Sequence, residues 1–472
     1  MRPFEAKRWR ISAVMICGAL TVGAAGWTAS GQTTGPRDLA SPIPMPLEEF
    51  GVPFEARWQA ESDIEPAPLP PPQAPRAQTD AHAGVTIAHL EQLALRHNPT
   101  LGQASRRIEA LCGTHLQVGI KPNPSIGYIG EEIGDGGRAG QQGIQFQQTI
   151  ITGGKLALNR AVVSYEIAQA QQEFEMQRRR VLNDVRIAAY HALAAQQTVT
   201  LAEQLLALGE AGVKAAEGLF QAKEVSRADV LQARIEANSA RLTLETSSNN
   251  ARAAWRRLAM VVGVPDLQQV RIQNTLPGEP LSLTWDGALT DLMAASPELG
   301  RAYAGVERAR RHLARQCAGQ IPDVTLGGGI RHNFESETTV ATASLSVPLQ
   351  IFNRNQGNIL RAQAELAEAH REVERVELSL QDRLAVVFRE YENARQRASR
   401  YRNDILPDAK ASLDLVQQGY EGGEFGYLQL LTAQRTYFET NVAYIQALAQ
   451  LWTSTAEIDG LLLRGGLARP GG

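Results

Sequence analysis

The sequence predicts a mainly α-helical chain with a small β part, arranged as two tandem helix–strand–strand–helix repeats. Three observations predict it. Much of the chain occurs twice, about 200 residues apart. His97-Asn98-Pro99-Thr100-Leu101 returns as Ser296-Pro297-Glu298-Leu299, and Arg160-Ala161 as Arg361-Ala362. The run from Phe220 through Glu224-Val225-Ser226 to Asp229-Val230-Leu231-Gln232-Ala233 returns as Tyr420 through Glu424-Phe425-Gly426 to Gln429-Leu430-Leu431-Thr432-Ala433. Apolar residues also recur at steps of three and four through two very long stretches. Finally, each repeat holds two runs of about ten residues in which apolar and polar positions alternate, the period of a strand with two unlike faces.

Composition agrees. Aromatics are only 6% of the 472 residues, and the repeats are rich in Ala, Gln, Glu, Leu and Arg. That is the usage of long packed helices rather than of one compact globule. A net charge of -3 offers no electrostatic case for nucleic acid. Runs such as Arg178-Arg179-Arg180 read as solvated helix faces.

Residues 1–31 read as a secretory signal. Arg2, Lys7, Arg8 and Arg10 precede an apolar segment from Ile11 to Ala25, and Ala29-Ser30-Gly31 suits cleavage. An uncleaved anchor and a lipidated Cys17 are the alternatives, the second disfavoured by Ile16 just before the cysteine. Residues 32–83 form a proline-rich extended leader, with Pro42, Pro44, Pro46 and Pro70-Pro71-Pro72, too poor in apolar residues to build a core.

Repeat 1 covers 84–283. Its first helix runs from Thr86 to about Gly119 with a break at Asn98-Pro99, and Pro122 and Pro124 stop it. Strands follow at about 124–133 and 140–151, joined by Gly134-Asp135-Gly136-Gly137. In the second, Ile144 and Phe146 alternate with Gln145 and Gln147. A long helix then carries Leu156, Val163, Ile167, Ala170, Phe174, Val181, Val185, Ala188, Ala192, Ala195, Val199, Ala202 and Leu206 on one stripe, interrupted by Arg160 and Gln177. It is expected to end near Leu208-Gly209 and to return through 226–262.

Repeat 2, 284–463, does the same. Its strands lie at about 322–349: Ala341, Ala343, Leu345 and Val347 face one way, Thr342, Ser344 and Ser346 the other. The stripe of its long helix runs from Ile359 and Ala362 to Ala398, Tyr401 and Ile405, and is expected to stop at Pro407 and return through 426–463. Residues 464–472 read as a disordered tail. The breaks at 209–226 and 407–426 are the expected hairpin tips. Cys112 and Cys317 are expected to be small buried hydrophobes.

Strands about ten residues long, apolar on one face and polar on the other, suit a membrane barrel with a wet lumen; a soluble sandwich would give the same alternation, and the signal segment and the lack of any other β segment favour the barrel. The chain has too few strands to close a barrel alone, and an open edge in lipid is not viable. It is therefore expected to oligomerise.

These features resemble the TolC-like outer-membrane efflux proteins over about 84–463. Pro348-Leu349-Gln350-Ile351-Phe352-Asn353-Arg354-Asn355-Gln356-Gly357 is similar to the strand-to-helix link of the heavy-metal (CzcC/CusC-type) branch, with Ile151-Thr152-Gly153-Gly154-Lys155 as its partner in repeat 1. The resemblance implies a homotrimer whose strands close one barrel in outer-membrane lipid and whose helices form a coiled-coil α-barrel in the periplasm. It implies docking on a periplasmic adaptor (membrane fusion) protein and an inner-membrane pump of RND type. The function it implies is passive export of heavy-metal cations or small toxic molecules. A duct for type I protein secretion and a non-pore periplasmic coiled-coil scaffold are the alternatives.

In that family a Tyr and an Arg of the second repeat contact an Asp of the first to hold the periplasmic mouth shut, and in TolC itself a ring of Asp adds a further constriction. On the resemblance Tyr420 matches the Tyr and Asp229 the Asp. Phe425 stands at the Arg position, and Gln429 and Thr432 at the ring positions. A phenol-to-carboxylate bond would be charge-assisted; equally, Asp229 suits the first turn of a helix. Gly218, Val225, Ser226, Gly422, Gly423 and Gly426 are the small or apolar residues of the tips, expected to admit an adaptor's helical tip.

The sequence offers no catalytic residues, cofactor or metal site. Its eight histidines are scattered, and no HExxH or Gly-x-Ser-x-Gly motif occurs. Gly153-Gly154-Lys155 lacks the first glycine and the hydroxyl of a phosphate loop.

Overall fold

The computed structural model describes residues 84–133, 140–273, 282–422 and 424–469. The signal, the leader with Cys17, and the Gly134–Gly137 turn lie outside the described residues. Each repeat opens with a helix pair. In repeat 1 these are α1 (Ile87–His97) and α2 (Pro99–Gln117). Thr86 caps α1 by accepting from the His89 N–H, and Asn98 caps α2 by accepting from the Thr100 N–H, with Pro99 at the first position, where no N–H is needed.

Strands β1 (Ser125–Glu131) and β2 (Gln141–Ile150) follow. Next come the long helix α3 (Lys155–Gln221) and its return α4 (Arg227–Val262). Repeat 2 supplies α5 (Trp285–Ala295), α6 (Pro297–Ala318), β3 (Val324–Asn333) and β4 (Thr338–Ser346). Its long helix is α7 (Gln356–Arg400), continued by a π turn (Tyr401–Ile405) and α8 (Leu406–Glu421), and it returns as α9 (Tyr427–Asp459). Thr284 caps α5 and Pro297 opens α6, reproducing the first pair. At about 1.5 Å per residue the 67 residues of α3 span on the order of 100 Å.

The four strands form one antiparallel sheet in the order β1-β2-β3-β4. The two repeats meet at its centre, where Ile144 pairs with Ile330. Register and the two-residue period give the sheet unlike faces. Ile126, Tyr128, Ile144, Phe146, Leu326, Ile330, Ala343 and Leu345 share one, all on rungs that pair in register. Gln145, Gln147, Thr325, Thr342 and Ser344 share the other. β1 and β4 are edges within the chain. Among the described residues no helix is long and apolar enough to cross a membrane.

The main core lies where the middle of α3 meets the short helices and the ends of α4 and α9. Leu90, Val181, Val185, Leu258, Leu292, Leu384, Tyr391 and Leu451 are buried in it. The expected stripe of α3 is buried or half-buried throughout. Its interruption at Gln177 is fully buried because the amide donates to the Gly466 carbonyl (2.7 Å) and the Thr100 hydroxyl (2.8 Å).

Several expectations are corrected. The long helices do not stop near Gly209 or at Pro407: α3 runs on to Gln221 and the second arm to Glu421. Gly209 is buried, and a Cβ there would lie 3.2 Å from the Ala237 Cα, so the glycine permits helix approach rather than ending the helix. Pro407 sits in the first turn after the π turn, where its lost N–H matters least. The π turn takes one extra residue and shifts the stripe, so Ile405 is 42% exposed and Leu406 turns inward instead. The hairpin tips are therefore 222–226 and 422–426.

The tail is not disordered through residue 469. Asp184 accepts from the Gly466 N–H (2.7 Å), Asn183 donates to the Leu463 carbonyl (2.9 Å), and Arg464 pairs with the buried Glu457 (2.6 Å). Cys112 is only half-buried and Cys317 exposed, both as free thiols, because α2 and α6 turn those positions away from the core.

Candidate gate and docking surface at the helical tips

Two junctions aim the long helices away from the sheet. In repeat 1, Gly154 has φ 66 and Lys155 starts α3 with its ammonium 2.8 Å from Asp323, at the foot of β3. The same carboxylate accepts from the Thr152 N–H (2.9 Å), tying the first strand-to-helix turn to the second repeat. In repeat 2, Asn355 takes the equivalent left-handed position (φ 61). Asparagine tolerates that conformation because its short side chain bonds locally. Its N–H donates to Asn353 Oδ1 (3.0 Å), and its amide donates to the Gln316 carbonyl (2.8 Å). The Asn-Arg-Asn-Gln run is thus a hydrogen-bonded turn that fixes the start of α7.

At the far end, the first tip is a Schellman turn. The Glu224 N–H reaches the Leu219 carbonyl (2.9 Å) and the Lys223 N–H the Phe220 carbonyl (3.0 Å), with Lys223 at φ 63. The second tip repeats the long bond from the Glu424 N–H to the Gly419 carbonyl (2.7 Å). Each return helix is capped three residues ahead. Ser226 and Asp229 form a reciprocal capping box on α4, and the Gln429 side chain accepts from the Gly426 N–H on α9.

The geometry places each candidate residue. Asp229 accepts from the Ser226 N–H (2.9 Å) and hydroxyl (2.7 Å), and no hydrogen bond joins it to Tyr420 within the chain. Those Ser226 bonds, the hydroxyl first, hold its carboxyl below the usual carboxylate range. The helix-cap role is therefore the one Asp229 plays in a single protomer. The Phe425 ring covers Gly419, where a Cβ would meet it at 2.2 Å. The Thr432 hydroxyl donates to its own helix at Leu428 (2.9 Å). Val225 is half-buried, Ser226, Gly422 and Gly426 are exposed, and a Cβ on Gly218 would meet open space. Gly423 lies outside the described residues.

One residue that joins the two tips was missed from sequence. Tyr427 opens α9, and its ring packs on a small cluster of Ala216, Val230 and Ala233 from the first hairpin. Its hydroxyl lies 2.6 Å from where a Cβ on Gly212 would sit, so Gly212 provides the seat. Tyr420 stands beside it with ring centroids 5.9 Å apart. Burial pushes the Tyr427 phenol upward, with Tyr420 and Glu236 adding to it. The available signal was a break in the repeat: Tyr427 stands where repeat 1 has Arg227.

Among the described residues no cluster of three or more His, Cys, Asp or Glu side chains is placed to hold a metal ion. What the arrangement provides is mechanical: two capped hairpins, pinned to each other by one aromatic ring, at the end of an arm whose other end carries a two-faced sheet.

Comparison with known proteins bears on that arrangement. The model of the outer membrane efflux protein family matches residues 90–264 and 288–462, one match in each repeat. The cobalt-zinc-cadmium resistance protein CzcC of Cupriavidus metallidurans is 29% identical over 399 residues, which cover 82% of this chain and 91% of that one. The solved outer-membrane channel OprN superposes with a TM-score of 0.66 at 18% identity, over 81% of this chain and 91% of that chain. CusC does so with 0.62 at 16% identity, over 85% of this chain and 99% of that chain.

Proposed function

The chain belongs to the outer membrane efflux protein family, and from that premise we propose that it is the exit duct of a tripartite pump that expels heavy-metal cations. The observation that carries the proposal is the sheet. Its apolar face suits lipid and its polar face a wet lumen, and its two edge strands lack partners among the described residues. A homotrimer pairs β4 of each copy with β1 of the next and closes one barrel in the outer membrane. The arms of α3, α4, α7, α8 and α9 then form the periplasmic tunnel. The hairpin tips meet a periplasmic adaptor, which links the duct to an inner-membrane pump of RND type. The duct itself supplies no energy; cargo moves through it passively.

Heavy-metal cargo is supported by the likeness to the cobalt-zinc-cadmium resistance protein, over most of both chains. Tyr420 and Asp229 belong in this reading to a contact between neighbouring copies, made when Asp229 exchanges its own Ser226 for a phenol. The test is planar-bilayer conductance of the detergent-purified protein with its mass in the same detergent, followed by cobalt, zinc and cadmium tolerance of a host lacking its own duct. A conducting trimer that restores tolerance beside its pump is the expected result. A non-conducting monomer overturns the duct, and a conducting trimer without metal tolerance overturns the cargo.

A further inference from the structure

The foot of β4 differs from the other strand ends. After Ser346 the alternation of the sheet's apolar face continues through Val347, Leu349 and Ile351, and Phe352 follows. Leu349 is 81% exposed, Ile351 60% and Phe352 91%. A frayed segment would also expose its side chains, but this one is held. Gln350 turns inward and donates to the Gly319 carbonyl (3.0 Å), the Ile351 N–H closes a tight turn on the Leu349 carbonyl (3.0 Å), and Asn355 anchors the far end on Gln316. Polar residues fasten the turn from within while its apolar residues point out.

Antiparallel pairing puts the start of β1, the end of β2, the start of β3 and the end of β4 at one end of the sheet. Ile120 and Ile321, both about half exposed, precede β1 and β3 at that end. So does Lys121, and Arg354 follows Phe352; both are exposed cations that pair with no carboxylate among the described residues. Apolar side chains edged by Lys and Arg at the rim of an apolar sheet face match the chemistry of a phospholipid interface.

We infer that Leu349, Ile351 and Phe352, with Ile120 and Ile321, form an interfacial belt seated in the phospholipid of the inner leaflet of the outer membrane. Lys121 and Arg354 lie at headgroup phosphates. The inner leaflet follows because this end of the sheet leads into the helices, which occupy the periplasm. The inference rests on the sheet being part of a membrane barrel. The belt is built on repeat 2: the corresponding turn of repeat 1 holds Thr152-Gly153-Gly154 against Asp323 and Pro322 and carries no aromatic ring. The belt fixes the depth at which the barrel rides, and so the height of the helical arm above the inner membrane.

The test uses full-length Phe352→Trp and Ile330→Trp proteins in vesicles of phosphatidylethanolamine and phosphatidylglycerol, with acyl chains brominated near the headgroup. Emission is compared with that in unbrominated vesicles, and the signal of the unsubstituted protein is subtracted. Ile330 lies on the apolar sheet face and reports on the barrel alone. Loss of most of the introduced indole's emission at both positions is expected. Quenching at position 330 without quenching at 352 overturns the belt, leaves the barrel standing and points to a second copy covering Phe352. Quenching at neither removes the sheet from lipid, and the belt falls with its premise.

Discussion

Replacing Tyr427 with Ala tests whether the contact between the two hairpins of one protomer holds the duct's mouth. The ring is half-buried against Ala216, Val230 and Ala233, beside Gly212. Truncating a fully buried aromatic costs about 3–5 kcal/mol, of which about 1.5–3 kcal/mol is the transfer of its surface from water, so a half-buried ring on this small cluster contributes about 1–2 kcal/mol. Little rearrangement of the first hairpin can recover it, because Ala216 and Ala233 are too small to reach across the gap. If the pinned arrangement is the closed one, a loss of that size raises the open population about 5- to 30-fold. Gly212→Ala approaches the same contact from the other side. Its new Cβ forces the Tyr427 hydroxyl to move, while α3 itself gains up to about 1 kcal/mol of helix propensity. Both variants should therefore conduct more readily in planar bilayers, although one weakens the fold locally and the other strengthens its helix. Unchanged open probability in both, with hydrogen exchange showing the tips loosened, would refute the reasoning.

Two further outcomes follow from the same geometry. Asp229 titrates below the usual carboxylate range in the folded tip, so its cap contributes fully above about pH 4 and is lost as pH falls through its lowered value. Hydrogen-exchange protection of the first turn of α4, corrected for intrinsic rates, should fall in that acid window and become pH-insensitive in Asp229→Asn. Removal of residues 464–472 takes the Gly466 carbonyl from one N–H of the buried Gln177 amide, whose other N–H keeps the Thr100 hydroxyl, and takes Arg464 from the buried Glu457 carboxylate. With each unsatisfied buried group costing about 1–3 kcal/mol, thermal unfolding in detergent should shift downward by several degrees; an unchanged midpoint would show the docking to be incidental.

The doubled plan, the stripes of α3 and α7 and the two faces of the sheet were all legible in the sequence. Each rests on a period, 3.6 or 2, that the backbone imposes on side chains whatever the rest of the molecule does. The caps were legible for the same reason, since Thr86, Asn98 with Pro99, and Ser226 with Asp229 act within three residues of themselves. Where the long helices end was not. Gly209 and Pro407 are stop signals by local rule, yet one gives room for Ala237 and the other falls in a first turn created by the π turn before it.

By itself, then, the sequence determined which segments are helix or strand and which face of each is apolar, because those are properties of a few consecutive residues. Only the tertiary structure decided that Tyr427 joins the two tips, that the Gly466 carbonyl accepts from the buried Gln177 amide, and that Gln350 turns inward and leaves Phe352 outward. Each of those three depends on a partner brought close by packing: Gly212 for Tyr427, Gln177 for Gly466, Gly319 for Gln350. No local period encodes such a meeting. It is set by where long helices cross, and helix crossing is decided by the fit of whole surfaces.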